Sequence, residues 1–182
     1  MVAYLEEQVS QVQTPLSYVE VTSTGQSNDG LVDLLKVSQH VTPAAEYVLR
    51  NKVAITTKDV TRRIVIAPAS LFCEGDSGCR TSGVWDWANE NNLIRPSLEA
   101  ACLLCRSLTP RDLRIMGITW LVVVSRFEGP KGFQDVSVFT DGQVVDIIYD
   151  HADAWWPKRF GFALSCEVVD IFSTQGSVSL VE

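Results

Sequence analysis

No stretch of this 182-residue chain approaches the ~20 consecutive apolar residues of a membrane-spanning helix. The opening Met1-Val2-Ala3-Tyr4-Leu5-Glu6-Glu7 lacks both a positive region and an apolar core of the signal-peptide kind. These absences predict a soluble protein, with no membrane partner and no secretion by a signal peptide, that works in the cytoplasm or within a virion. Basic clusters are also missing. Residues 1–91 carry 11 acids and 7 bases and residues 92–182 carry 11 acids and 8 bases, so the net charge of −7 is spread without a basic arm or an acidic tail. Such a chain lacks the electrostatic footprint of phosphate-backbone binding, and no direct nucleic-acid partner is expected. A glycine-rich strand-to-helix turn and a phosphate-loop lysine are absent too, which removes the usual signatures of nucleotide cofactors. No cofactor is expected.

Histidine is scarce, with His40 and His151 the only two. His40 follows an apolar run, Leu31 to Val37, and reads as a structural or surface residue rather than a general base. His151 sits among Asp146, Asp150 and Asp153 near the end of a hairpin strand. That set has the donors of a divalent-cation site, but Asp146 falls inside the strand and the others beyond it, so a solvated loop is the expectation and no metal is assigned. Five cysteines, Cys73, Cys79, Cys102, Cys105 and Cys166, make an odd number. Their spacings fit neither a closed zinc site nor a secreted disulfide framework, which predicts free thiols in a reducing compartment. Cys102 and Cys105 form C-x-x-C well inside the helical run that begins at Ser97, where packing suits them better than redox work at a helix N-terminus.

Gly75-Asp76-Ser77-Gly78 behind Cys73 resembles the nucleophile loop of trypsin-like serine proteases. The resemblance covers about seven residues and implies Ser77 as nucleophile beside an oxyanion hole. In that family the serine follows its histidine and aspartate across two β-barrels. Here only His40 and Asp59 precede Ser77 as plausible partners, in less than half the chain, and an ordinary turn describes the segment as well. A hydrolase using Ser77 or a neighbouring cysteine, with His40 or His151 as base, is therefore carried only as an alternative.

The composition, 46% hydrophobic and 20% charged, is that of a globular protein large enough to bury a core, and no linker or repeat divides residues 1–182, which predicts a single domain. Strands are expected at 18–22, 52–55, 60–67 and 118–124, the last continuously apolar and central. Residues 25–30 read as a turn. Thr42-Pro43 and Thr109-Pro110-Arg111-Asp112 each announce a helix by a threonine cap and a proline in the first turn, and Gly117 stops the second helix. Asp141-Gly142 predicts a type I′ hairpin that pairs Val138 with Val145 and Val136 with Ile147. The alternation from Phe160 to Val168 predicts an antiparallel strand with one core face, and 177–181 a terminal strand. About eight strands with short inserted helices are mainly β, α+β by content, and fit an antiparallel β-sandwich or jelly roll. The alternative is an α+β domain with the region 96–116 packed across a single sheet.

Tryptophan is what the chain has in an informative place. Trp85 and Trp87 follow the glycine and cysteine segment, and Trp155 and Trp156 precede Pro157, Lys158 and Arg159. Read as loop residues, these six aromatic and basic side chains have the composition of an interaction hot spot. The expected function is that of a non-enzymatic structural or interaction protein, acting through a protein partner or through self-association as the oligomeric subunit of a virion-like assembly. An acidic inhibitor or immunity-type protein that binds a basic partner is the other interaction reading.

Overall fold

A computed structural model describes residues 16–53, 58–73, 78–129, 132–149 and 154–166. The chain begins with β1 (Ser17–Thr22), then α1 (Asn28–Ser38), the two-residue β2 (His40–Val41), α2 (Pro43–Lys52) and β3 (Thr61–Pro68). A 3₁₀ turn (Ala69–Leu71) leads to β4 (Cys79–Arg80), α3 (Thr81–Glu90), β5 (Leu93–Ile94), α4 (Leu98–Ser107) and α5 (Pro110–Ile115). Five strands then complete the order, β6 (Trp120–Gly129), β7 (Gly132–Thr140), β8 (Val144–Tyr149), β9 (Trp155–Trp156) and β10 (Phe160–Cys166).

The architecture is mixed α+β, built on one eight-stranded sheet and five helices, with no closed barrel among the described residues. The sheet runs β1-β3-β10-β6-β7-β8-β2, with β5 also pairing to β10, and β4 and β9 form a separate two-stranded ribbon. Of the two expected arrangements, the single sheet with helices laid across it is the closer, because α4 crosses β1, β6 and β7.

Strand alternation divides the buried side chains between two cores. Ile64, Ile66, Leu121, Val123, Val136, Val138, Val145 and Ile147 face α1, α2, α4 and α5, while Val122, Val124, Phe162 and Leu164 face α3 and the ribbon. β6 is central and buried on both faces, as its apolar run predicts. The two threonine-capped helices also form as read. Thr42 accepts from the Ala45 amide, and Thr109 and Asp112 complete a reciprocal capping box.

Several expectations are corrected. The predicted turn at 25–30 contains the start of α1, whose Ser27 hydroxyl accepts from the Gly30 amide at 3.2 Å and caps a helix burying Leu31, Val32 and Leu35. Lys52 ends α2 instead of opening a strand, and 54–57 lie outside the described residues, as do 177–181. β10 is not a one-faced antiparallel strand. It pairs antiparallel with β3 and parallel with β6, and its small residues Gly161 and Ala163 let it be buried on the helical side as well.

The hairpin forms with a different turn. Val138 pairs with Ile147, Val136 with Tyr149 and Thr140 with Val145, a slip of two residues from the expected register. The cause is Asp141, whose carboxylate oxygen accepts from the amides of Gln143 (2.8 Å) and Val144 (2.9 Å) and so builds a longer loop. Of Asp141 and Gly142, only Gly142 takes positive φ, whereas a type I′ turn needs two such residues. A slip of two keeps every side chain on its face, so the core assignment survives the change of register.

Candidate functional site

β4 and β9 pair antiparallel with Cys79 opposite Trp156 and Arg80 opposite Trp155. Adjacent strand residues point to opposite faces, so the two tryptophans diverge. Trp156 is 5% exposed and turned into the aromatic core, while Trp155 is 52% exposed. The Trp156 indole donates to the Thr81 hydroxyl at 2.8 Å, and the Thr81 amide donates to the Ala154 carbonyl at 3.0 Å, which ties the ribbon to the start of α3. Gly78 fits where a side chain would not. It has φ +108°, and a Cβ there would lie 2.3 Å from the Trp156 carbonyl oxygen.

Beneath the ribbon seven rings touch in sequence across the sheet face. Phe139 meets Trp120 at 5.6 Å between centroids, Trp120 meets Phe160 at 6.5 Å, and Phe160 meets Trp156 at 5.9 Å. Trp156 then meets Phe162 at 5.9 Å, Phe162 meets Phe72 at 5.8 Å, and Phe72 meets Trp87 at 5.2 Å. Each contact falls in the range of favourable ring pairs, mostly edge-to-face. This chain of rings fixes the ribbon's inner face and leaves its outer face to solvent.

The outer face carries Arg80 and Trp155, and Pro157, Lys158 and Arg159 follow in the adjoining turn, all exposed. The Arg80 guanidinium lies 5.8 Å from the Trp155 ring centroid, within cation–π distance. Backbone bonds from Phe160 to Pro157 (3.0 Å) and from Thr119 to the Arg159 carbonyl (2.8 Å) fix the turn that carries the two bases.

Of the six residues read as a binding set, Trp155 is exposed on this face, Lys158 and Arg159 are exposed in the turn after it, Trp156 is core, and Trp85 and Trp87 are half-buried on α3, not in a loop. The helix escaped sequence reading because its cap is Arg80, which makes no side-chain capping bond, and because Gly83 sits in its first turn. Arg80 was missed for a related reason. Its pairing with Trp155 depends on a ribbon between segments 75 residues apart, which no local pattern announces.

Trp85 belongs to a second cluster. The Arg95 guanidinium stacks 4.2 Å from its ring centroid, over a cleft of about 260 Å³ lined also by Asn89, Leu93 and Ile94. Arg95 reaches Asp135 at 2.5 Å, and Arg126 holds the same carboxylate by two bonds of 2.7 and 3.2 Å. Burial works against the Asp135 charge, but the hydrogen bonds from Arg126 and Arg95 and their positive charges prevail and hold its carboxyl below the usual carboxylate range. A depressed folded-state pKa contributes stability that is present above the unfolded value, near 4, and is lost as pH falls through the folded one. In urea titrations the advantage of wild type over Asp135→Asn is expected to hold from neutral pH to about 4.5 and to shrink below it. A constant difference down to about pH 2 would contradict this assignment.

His40 is exposed on β2, its amide bonded to the Gln143 carbonyl at 2.7 Å. Ser77 itself, with 74–77, lies outside the described residues, as do Asp150, His151 and Asp153. Asp146 accepts from the Thr42 hydroxyl at 2.6 Å and joins β8 to the cap of α2. Among the described residues no group of three or more His, Cys, Asp or Glu side chains is placed to hold a metal ion, and no helix is long and apolar enough to cross a membrane. Cys102 and Cys105 pack as small hydrophobes inside α4. Loss of water raises both thiols, Cys105 to about 12. No family model, curated protein or solved structure matches this chain.

Proposed function

We propose that this protein acts by protein–protein contact, as a self-associating subunit whose docking element is the outer face of the ribbon. The observation that carries the reading is Trp155, half exposed on a braced strand pair, with Arg80 beside its ring and the exposed Lys158 and Arg159 in the turn that follows. A large aromatic with cationic neighbours on a rigid support has the composition of a binding hot spot, and its fixed backbone lowers the entropic cost of docking. A second copy offers the complementary charge. Apart from Arg80, Lys158 and Arg159, the chain holds 22 acids against 12 bases. Contact between a basic aromatic patch and a different, acidic surface is heterologous, and repeated it generates a ring, a shell or a filament, the behaviour of a particle subunit.

Light scattering across a concentration series tests this directly. The wild-type mass is expected to rise with concentration and to fall with added salt. Trp155→Ala should stay monomeric while melting within about 0.5 kcal/mol of wild type, because an exposed side chain contributes little to the core. A wild-type protein that is monomeric at every concentration, or a Trp155→Ala protein that assembles equally well, would overturn the reading.

A further inference from the structure

Cys73 and Cys79 bracket a seven-residue segment, and both side chains enter the aromatic core under the ribbon. Cys73 follows the 3₁₀ turn, is partly exposed, and donates its S–H to the Ala69 carbonyl at 2.9 Å. Cys79 is buried at the start of β4 in the same core cluster that Cys73 packs against, and burial together with the neighbouring Cys73 raises its thiol. Two neighbouring thiols, one of them partly open to a reagent, allow a mixed disulfide formed on the first to be resolved by the second. The remaining cysteines are placed differently. Cys102 and Cys105 are sealed inside α4, and Cys166 ends β10.

We propose that Cys73 and Cys79 are a reversible redox pair that closes into an intrachain disulfide when a low-molecular-weight disulfide such as oxidised glutathione is present. The inference goes beyond the assembly reading and does not depend on it. Cys73, the accessible partner, loses its proton to solvent and attacks one sulfur of oxidised glutathione. The glutathione S–S bond breaks, one glutathione thiolate leaves, and a mixed disulfide remains on Cys73. Cys79 then gives up its proton and attacks the Cys73 sulfur, which expels the second glutathione thiolate. Two protein thiols are oxidised and one glutathione disulfide is reduced to two thiols, so atoms and electrons balance. Burial, reinforced by the neighbouring Cys73, pushes the Cys79 thiol up to about 12, so Cys73 and not Cys79 opens the exchange. The bond would fasten β4 to the 3₁₀ turn and fix one end of the ribbon that carries Trp155.

The native 182-residue chain in glutathione buffers of rising oxidised fraction, quenched by alkylation and digested with trypsin, reads out the pair. No lysine or arginine lies between Arg63 and Arg80, so both cysteines fall in one peptide, 64–80. The expected product is that peptide two hydrogens lighter, free of glutathione and restored by dithiothreitol, with Cys102 and Cys105 still open to alkylation after unfolding. Cys79→Ser is expected to stop at the glutathione adduct on Cys73. Wild-type protein that accumulates the Cys73 adduct without closing the ring, or whose 64–80 peptide stays reduced until denaturant is added, would overturn the proposal.

Discussion

Gly142→Ala is expected to cost about 3 kcal/mol of stability, an effect larger than a turn glycine alone would give. Two causes add. Gly142 has φ +86°, a conformation that side-chain-bearing residues adopt under strain. A Cβ at this position would also lie 2.4 Å from the Pro110 nitrogen and 2.6 Å from the Thr109 carbonyl carbon, so that it meets backbone rather than a movable side chain. The loop therefore seats directly on the capping box of α5, and Gln39 reinforces the junction by donating to the Cys105 carbonyl at 2.7 Å and to that of Gly142 at 3.4 Å. To admit a methyl group, α5 must move away from the hairpin or the hairpin must leave its register. Urea unfolding should show a lower midpoint with an unchanged slope. A variant within about 0.5 kcal/mol of wild type would mean that the loop does not rest on α5.

The same loop shows how far the sequence could be read. Its glycine, its hairpin and the facing sets of valines were all legible, because alternation and turn chemistry are local signals. The register was not, since it depends on which amides the Asp141 carboxylate captures. Capped helices followed the same rule. α2 and α5 begin at threonine and proline and were found, whereas α3 begins at Arg80 without a capping side chain and was read as a loop. Layering was hardest to see. Strands such as β10, buried on both faces, look one-sided when small residues occupy the second face, and that encouraged a sandwich where one sheet carries helices. At the candidate site, tryptophan and base composition singled out the segment from Trp155 to Arg159, but separating the exposed Trp155 from the buried Trp156 required the ribbon pairing.

Glu99 carries the other large expected effect, and nothing in its local sequence announces it. It sits in the first turn of α4 with 0% exposure, accepts a hydrogen bond of 2.5 Å from the Ser23 hydroxyl, and faces the Arg62 guanidinium of β3 at 3.8 Å. Arg62 is itself only 13% exposed, and its Nη1 has no hydrogen-bond partner among the described residues, so the Glu99 charge is what offsets its desolvation. Removing one member of a buried pair leaves the other charge uncompensated, and Glu99→Ala is expected to cost about 3–5 kcal/mol. Glu99→Gln separates charge from hydrogen bonding. It keeps an acceptor for Ser23 while abolishing the attraction to Arg62, and should fall between Ala and wild type. Replacing both partners, Glu99→Leu with Arg62→Met, removes the stranded charge together with its counterion and should recover most of the loss. The double-mutant cycle is the decisive measurement. If the two single substitutions simply add, the pair is not coupled, and Glu99 acts through its other contacts, the Ser23 hydroxyl among them, rather than through Arg62.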